Sequence, residues 1–197
     1  MKLSVLFFLL SLSGSALAQT VLFLGDSLTE GYRLSKDEAY PALVEKALIK
    51  KYPELKVING GKSGDTTAGG VKRLDWYLKA KPKIMVLALG ANDGLRGLKA
   101  SEAKKNLSQI IEKAQAKGIN VLLAGMKIPM NYGDSYRKEF EAIFPALAKA
   151  HNVPLIPFLL EGVAANPDLN LADGIHPNAK GYEVMSKTVI KHLEPLL

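Results

Sequence analysis

The sequence contains no cysteine. Disulfide scaffolds, thiolate nucleophiles, iron–sulfur clusters and cysteine-based zinc sites are therefore all excluded, and an apolar core must stabilise the fold. Histidine is almost as scarce, because only His151, His176 and His192 are present and their spacing matches no metal-binding motif. A histidine-rich metal site is therefore not expected, and any chemistry that needs an imidazole has few candidates. We also expect no cofactor, because the sequence contains neither the phosphate-binding pattern G-x-x-x-x-G-K-[ST] nor a complete G-x-G-x-x-G.

Acidic residues are fewer than basic ones, and 26 Lys and Arg against 19 Asp and Glu leave a formal net charge of +7. A nucleic-acid binder would cluster its cations, but the lysines fall in short groups such as Lys50-Lys51 on segments typical of amphipathic helices. We expect no nucleic-acid partner and at most a peripheral attraction to anionic membrane surfaces or substrates. The chain has 197 residues, 48% of them hydrophobic, which indicates one globular domain, and we expect a monomer.

The first 18 residues have the pattern of a secretory signal peptide. Lys2 provides the positively charged N-terminal region, Leu3 to Leu12 form the apolar region, and Ala16-Leu17-Ala18 matches a signal-peptidase cleavage site. The alternative is an uncleaved membrane anchor, but the apolar run is well short of the roughly 20 residues that span a bilayer. We predict cleavage after Ala18, a secreted or periplasmic protein, and a single domain over residues 19–197.

Short apolar runs predict five strands, separated by segments with helical periodicity. The predicted strands are Thr20–Gly25, Leu55–Asn59, Ile84–Leu89, Ile119–Ala124 and Val153–Pro157. The third is the most apolar and belongs in the middle of a sheet, whereas the prolines of the fifth favour an edge. Strands that alternate with helices indicate an α/β fold with a parallel sheet covered on both faces, and ligands bind such sheets at the carboxyl ends of the strands.

The intervening segments carry helix start and stop signals. Ser35 and Glu38 have the spacing of a capping box and predict a helix that ends near Lys51. A further helix is expected to start with a cap at Asp134 and to kink at Pro145, which lacks a backbone donor. The other predicted helices are Thr66–Ala80, Ser101–Lys117 and a last one from Pro177 to the C-terminus.

Polar residues are concentrated in the loops that follow the predicted strands. Together these loops provide a hydroxyl, glycine backbone donors, an amide, a carboxylate and an imidazole, which is the inventory for acyl transfer through a serine nucleophile. The loops contain the segments GDSLT after the first strand, GGKSGDT after the second, GANDG after the third, and DGIHP near the C-terminus.

The candidate catalytic residues are Ser27, Asp173 and His176. A serine hydroxyl needs a base to take its proton, and His176 is the best candidate because it lies in a loop rather than in a helix. Asp173 precedes His176 by three residues, close enough for its carboxylate to orient the imidazole. The alternative is that Asp173 only braces its loop while a backbone carbonyl orients His176.

The negative oxygen of a tetrahedral intermediate needs preorganised hydrogen-bond donors. Ser27, Gly64 and Asn92 are our candidates for this oxyanion hole, through two backbone N–H groups and one side-chain amide. Each also has a purely structural interpretation, as a helix cap, a residue with positive φ or a turn residue. We expect the neighbouring Asp26 and Asp93 to have structural roles.

These motifs resemble the SGNH/GDSL family of lipolytic hydrolases. The four positions that define the family correspond to Ser27 in GDSLT, Gly64 in SGDTT, Asn92 in GANDG and His176 in DGIHPN. They occur in the family's order over nearly the whole chain after the signal peptide. The resemblance implies a flavodoxin-like, three-layer α/β/α fold with a five-stranded parallel sheet, no metal, and a triad of Asp173, His176 and Ser27.

Additional segments are similar to the subgroup of thioesterases, lysophospholipases and arylesterases. They are Gly31-Tyr32-Arg33, the stretch from Asn92 to Gly97, and the stretch from Pro129 to Gly133. Ala91 departs from this subgroup, which often has a second glycine there. An alanine is compatible with the loop if the residue has a negative φ.

The first hypothesis is an esterase that hydrolyses carboxylic esters and thioesters, such as aryl esters, acyl-CoA and lysophospholipids, through an acyl-enzyme on Ser27. Two alternatives are an acyltransferase with the same site and a non-catalytic module that binds acylated glycans or lipids. Apolar side chains after the third and fourth strands are expected either to line the acyl groove or to form a small satellite core. They are Leu98, Met126, Ile128, Met130 and Tyr132.

Overall fold

The structure is a computed structural model, and it describes residues 19–197. The predicted signal peptide and its cleavage site lie outside the described residues. None of the helices within 19–197 combines the length and the apolar character that crossing a bilayer requires.

Five parallel strands form one sheet with the order β2-β1-β3-β4-β5, which confirms the predicted α/β fold. The register pairs Gln19 with Leu55 across β1 and β2, and Val21 with Ile84 across β1 and β3. β3 is central and all five of its residues are buried. The strands are β1 (Gln19–Gly25), β2 (Leu55–Gly61), β3 (Ile84–Ala88), β4 (Asn120–Ala124) and β5 (Leu155–Ile156).

Within residues 19–197, eight α-helices connect and cover the strands. They are α1 (Ser27–Glu30), α2 (Tyr40–Leu48), α3 (Thr67–Leu78), α4 (Ala91–Leu95), α5 (Ala100–Gln115), α6 (Asp134–Glu141), α7 (Ile143–His151) and α8 (Ala179–Leu193). The described part of the chain also contains three short 3-10 helices, at Met130–Tyr132, Pro167–Leu169 and Glu194–Leu196. Helices α2 and α8 pack together in one layer, and α3, α5 and α7 pack in the other. Right-handed crossovers in a sheet of this strand order produce this arrangement of three layers.

The strand at the edge, β5, is shorter than predicted and contains only two residues. Its predicted range, Val153–Pro157, includes two prolines, which have no N–H to donate to a neighbouring strand. The prediction that this strand lies at an edge is confirmed.

The predicted start of α2 was wrong. Ser35 does donate to the carboxylate of Glu38, from its backbone N–H and its hydroxyl, but this pair forms a separate turn. The helix begins at Tyr40, and Pro41 lies in its first turn, where the fixed φ of proline suits a helix.

One predicted helix is in fact two, and the break is not at Pro145. α6 ends at Glu141 and α7 starts at Ile143, which puts Pro145 in the first turn of α7, where a backbone N–H has no partner within the helix. The expected cap by Asp134 was also wrong. Gly133 occupies the cap position, and the Asp134 carboxylate instead lies 3.4 Å from Nη1 of Arg137.

Candidate active site

The carboxyl ends of β1, β2 and β3 lie side by side at one rim of the sheet, because these strands are parallel neighbours. Gly25 ends β1 and is paired with Gly61, which ends β2. The loops that carry Ser27, Gly64 and Asn92 all start from this rim. The topology therefore brings together segments that are far apart along the chain.

Ser27 is the first residue of α1, and a tight turn joins this helix to β1. Gly25 permits the turn, since a Cβ at this position would lie 1.9 Å from Oγ1 of Thr29. Asp26 caps α1 because its Oδ1 accepts a hydrogen bond from the Leu28 N–H at 3.0 Å. The turn and the cap hold Ser27, which is 9% exposed, in a fixed position at the rim.

The loop before α8 returns the chain to the same rim. Asn170 and Pro177 form an isolated antiparallel bridge across it, and the Leu171 N–H donates to the carbonyl of His176 at 2.8 Å. The bridge closes the loop that contains Asp173 and His176. It holds both side chains beside Ser27, which is 149 residues away from His176 in the sequence.

Asp173, His176 and Ser27 form a continuous chain of hydrogen bonds. Nε2 of His176 lies 2.9 Å from Oγ of Ser27, and Nδ1 lies 2.9 Å from Oδ2 of Asp173. With the proton on Nδ1, the ring donates to the carboxylate and accepts the proton of the serine hydroxyl. This is the geometry of a nucleophile, a general base and a group that orients the base.

The carboxylate of Asp173 is held on both oxygens. Oδ1 accepts from the N–H groups of Ile175, at 3.1 Å, and of His176, at 3.0 Å, while Oδ2 faces the imidazole. Burial raises the pKa of Asp173, but these hydrogen bonds outweigh burial and the net pKa lies below its ordinary value. These contacts therefore favour the ionised form of Asp173.

Two of the three segments of the candidate oxyanion hole, those of Gly64 and Asn92, meet at Arg96. Gly64 has a φ of +75°, which favours glycine, and its carbonyl accepts a hydrogen bond of 2.7 Å from Nη2 of Arg96. The same Nη2 lies 3.5 Å from Oδ1 of Asn92, which is in the first turn of α4. The loops after β2 and β3 are thus connected by one guanidinium group.

Asp26 is fully buried next to the nucleophile. Burial raises its pKa to about 7, against the lowering effect of the Leu28 N–H and the nearby Asn92 amide. Oδ2 nevertheless has no hydrogen bond of normal geometry to any described residue. Asp26 is therefore both a helix cap and a titratable group inside the core.

Asp93 is also buried, but both of its oxygens are satisfied. They accept hydrogen bonds from the backbone N–H of Thr67 at 2.9 Å and from its hydroxyl at 2.6 Å. These contacts join the start of α3 to α4. They support the expected structural role of Asp93.

Tyr32 was not among our site residues, although its ring lies against the imidazole of His176 with centroids 4.4 Å apart. The signal for it was the segment Gly31-Tyr32-Arg33, which entered the sequence analysis only through the family resemblance. No local periodicity marks Tyr32 as a neighbour of His176, because the contact depends on the return of the last loop.

A cavity of about 500 Å³ opens beside Ser27 and His176. Its walls are mostly apolar and include Met126, Ile128 and Met130 of the five residues predicted for an acyl groove. Leu28, Phe158 and Leu160, which sequence analysis did not select, line it as well. A hollow of about 540 Å³ at the amino ends of the strands adjoins neither Ser27 nor His176.

Leu98 and Tyr132 do not line this cavity, so the structure does not place them where we predicted. The hydroxyl of Tyr132 donates to the Leu95 carbonyl at 2.7 Å, which ties the two loops together. Leu98 is 42% exposed, and its carbonyl accepts a hydrogen bond of 2.6 Å from the hydroxyl of Tyr136. Tyr132 is instead partly buried and packs against the hydrophobic core, as the alternative of a satellite core would require.

A serine, a histidine and an aspartate in this arrangement, at the rim of a parallel α/β sheet, define the class of serine hydrolases that carry out acyl transfer. Among residues 19–197, no three His, Cys, Asp or Glu side chains are grouped so as to hold a metal ion.

Comparison with known proteins assigns the family. The model of the GDSL-like lipase/acylhydrolase family matches residues 23–184, and the chain belongs to this family. It is 40% identical over 196 residues to "Thioesterase 1/protease 1/lysophospholipase L1" of Escherichia coli (strain K12), covering 99% of this chain and 93% of the relative. It is 39% identical over 194 residues to "Arylesterase" of Vibrio mimicus, covering 96% of each. The crystal structure of TesA has a TM-score of 0.88 at 39% identity, over 91% of this chain and 100% of that one.

The predicted family, the fold class and the serine esterase function are therefore confirmed. The chain is an esterase of the SGNH/GDSL type.

Proposed function

We propose that the protein hydrolyses carboxylic esters and thioesters by a double displacement through an acyl-enzyme on Ser27. The observation that carries this proposal is the unbroken chain of hydrogen bonds from Asp173 through His176 to Ser27, at the mouth of an apolar cavity. The chain supplies an activated nucleophile, and the cavity supplies space for the acyl group.

In the first half of the reaction, Oγ of Ser27 forms a bond to the acyl carbon while its proton moves to Nε2 of His176. The carbonyl oxygen becomes an oxyanion, and Asp173 stabilises the imidazolium that has formed. When the intermediate collapses, the bond to the leaving group breaks, and His176 returns its proton to the departing alcohol or thiol. The acyl group remains on Ser27 as an ester.

In the second half, a water molecule replaces the leaving group. It gives a proton to Nε2 of His176 and attacks the acyl carbon, which produces a second tetrahedral intermediate. The bond to Oγ of Ser27 then breaks, and the serine recovers its proton from His176. A carboxylic acid leaves, and the enzyme returns to its initial state.

The proposed oxyanion donors are the N–H of Ser27, the N–H of Gly64 and the side-chain amide of Asn92. Ser27 is the first residue of α1, where a backbone N–H has no partner within the helix and is free to donate to an oxyanion. Asn92 lines the same cavity as Ser27. Removal of one such donor typically lowers the rate by about 10²- to 10³-fold.

We propose that the apolar cavity beside Ser27 binds the acyl chain. Met126, Ile128 and Met130 belong to its walls, and together with Phe158 and Leu160 they offer an unbranched hydrocarbon an apolar environment. The names of the relatives support aryl esters, thioesters and lysophospholipids as substrate types.

We also propose that residues 1–18 are a signal peptide, so that the mature enzyme is a single domain that starts at Gln19, acts outside the cytoplasm and is a monomer. Cleavage after Ala18 would keep all of residues 19–197, and therefore all five strands of the sheet, in the mature chain. N-terminal sequencing of the exported protein is the test. Retention of Met1 on that protein would contradict the proposal.

The direct test of the catalytic proposal is Ser27→Ala. The variant should keep its thermal unfolding temperature but lose p-nitrophenyl butyrate hydrolysis, acyl-CoA hydrolysis and covalent labelling by a fluorophosphonate. Ser101→Ala is the control, because Ser101 is an exposed serine at the start of α5. Unchanged hydrolysis by Ser27→Ala would refute the proposal.

A further inference from the structure

Arg96 lies directly after α4 and connects two segments of the rim. Its Nη2 donates to the Gly64 carbonyl at 2.7 Å and lies 3.5 Å from Oδ1 of Asn92. Its own backbone N–H donates to the carbonyl of Asn92 at 3.1 Å. Arg96 therefore contacts Asn92 through both its side chain and its backbone.

The contact with Asn92 matters because the two ends of an amide side chain have opposite hydrogen-bonding properties. An oxyanion can be stabilised only by the NH₂ end. A cationic donor beside Oδ1 favours the orientation in which Oδ1 faces Arg96 and Nδ2 faces away from it. The contact with the guanidinium group therefore favours the orientation of Asn92 that an oxyanion donor requires.

The contact with Gly64 fixes the backbone on the other side of the site. The peptide unit that joins Gly64 to Asp65 is held at both ends, since its carbonyl accepts from Arg96 and its N–H donates to the Lys62 carbonyl at 3.1 Å. Gly64 has a positive φ and no Cβ, so without such contacts its backbone has unusual freedom. Holding this peptide restrains the direction of the Gly64 N–H as well.

The charge of Arg96 is not used in an ion pair with any carboxylate of residues 19–197. The other arginine at this rim behaves differently. Arg73 bonds the Asp65 carboxylate at 2.5 Å and the carbonyls of Gly60 and Gly25, which makes it a brace of the strand ends. The guanidinium of Arg96 is bonded instead to the two residues proposed as oxyanion donors.

We propose that Arg96 is a positioning residue of the oxyanion hole, which it assembles by holding the Gly64 peptide and the Asn92 amide in one geometry. This inference rests on the proposed function of the site. It adds a group that acts through Gly64 and Asn92 rather than on the substrate itself.

The test compares Arg96→Met and Arg96→Lys with the wild-type enzyme, using p-nitrophenyl butyrate and butyryl-CoA. The methionine variant should lose about 10- to 100-fold in kcat with little change in KM, because the donors are displaced and not removed. The lysine variant should lose less than the methionine variant, because its ammonium group can still donate to one of the two partners. It should not reach the wild-type kcat, since one ammonium group cannot reach both partners as well as a planar guanidinium. Lys99→Met is the control, as Lys99 is an exposed cation nearby and should leave kcat unchanged.

Two further measurements separate positioning from general stabilisation. Added methylguanidinium should partly restore kcat in Arg96→Met but not in Asn92→Ala. In the Asn92→Ala background, Arg96→Met should cost a smaller factor than it does alone, because one of its two targets is already absent. Neither result is expected of a residue that only stabilises the fold, and the rescue remains informative if Arg96→Met has a lower unfolding temperature.

Three outcomes would overturn the proposal. The first is a wild-type kcat in folded Arg96→Met. The second is a loss of kcat that methylguanidinium does not rescue and that is fully additive with the effect of Asn92→Ala. The third is a rise in KM for butyryl-CoA alone, with kcat unchanged. The last would make Arg96 a contact for anionic substrates. Failure of the whole catalytic proposal is a separate result, namely activity that persists in Ser27→Ala.

Discussion

The ring of Tyr32 lies against the imidazole of His176, with centroids 4.4 Å apart and planes inclined at 33°. The backbone N–H of Tyr32 also donates to the carbonyl of Ser27 at 3.1 Å. Tyr32 therefore contacts the proposed base, His176, through its side chain and the proposed nucleophile, Ser27, through its backbone. Asp173 holds the edge of the imidazole and Tyr32 covers a face of it, so the ring is restrained in two directions.

Tyr32→Ala should lower kcat, because the imidazole loses the contact that covers its face. Aromatic contacts of this kind contribute about 0.5–1.5 kcal/mol, which corresponds to a reduction of roughly 2- to 10-fold. Tyr32→Phe should retain most of the activity, since the ring makes the contact. Steady-state kinetics with p-nitrophenyl butyrate will measure both.

The control for this prediction is Tyr52→Ala, a partly buried tyrosine near the opposite end of the sheet. It should not change kcat. If Tyr32→Phe were as impaired as Tyr32→Ala, the contact of the ring with His176 would not be the cause.

Asp26 should make the stability of the fold depend on pH. Its pKa is raised from 3.8 to about 7 by burial, so between these values the native state holds a proton that the unfolded state has released. The contribution of Asp26 to the free energy of unfolding is therefore fully present below pH 3.8 and is lost as the pH rises through about 7. The loss is on the order of 4 kcal/mol. Asp26→Asn has no such proton and should lack this part of the pH dependence.

The measurement is the free energy of unfolding in urea at pH 4.5 and at pH 8 for both proteins. Relative to the wild type, Asp26→Asn should be more stable at the higher pH than at the lower one. Asp75→Asn is the control, because Asp75 is exposed on α3 and should shift stability equally at both pH values. Parallel pH profiles for Asp26→Asn and the wild type would contradict the assignment.

Ala164→Trp should shorten the preferred acyl chain. Ala164 lines the cavity beside Ser27, on the segment between β5 and the 3-10 helix at Pro167–Leu169, and an indole there would occupy space that a long chain needs. We expect kcat/KM for p-nitrophenyl decanoate to fall at least tenfold more than kcat/KM for p-nitrophenyl acetate. The magnitude follows from the cost of overfilling a packed site, which is about 1–3 kcal/mol.

Ala116→Trp, on the exposed end of α5, is the matched control and should affect neither substrate. An equal loss for acetate and decanoate in Ala164→Trp would mean that the cavity does not hold the acyl chain.

Much of the fold was predictable because the strands are short apolar runs whose burial is a local property of the sequence. All five strands were located, and the edge position of β5 followed from its prolines. Boundaries that depend on backbone detail were predicted less well. Ser35 and Glu38 form their hydrogen bonds outside a helix, and Pro145 starts α7 rather than bending a longer helix.

The lining of the cavity beside Ser27 was only partly predictable for a related reason. Met126, Ile128 and Met130 line it, whereas Leu98 and Tyr132, which also lie in the segments that follow β3 and β4, do not. Sequence distance from a strand end indicates which loop a residue occupies. It does not indicate the direction in which the loop presents each side chain.

The sequence by itself determined the chemistry available to this protein. Without cysteine, with three histidines, and with polar motifs after successive buried strands, a serine hydrolase was the consistent interpretation. Only the tertiary structure decided which residues meet. Nε2 of His176 reaches Ser27 across 149 positions, Tyr32 lies on the imidazole, and Arg96 joins Gly64 to Asn92. These contacts join separate loops, and their geometry depends on how the crossovers place the strand ends at one rim, which no local pattern encodes.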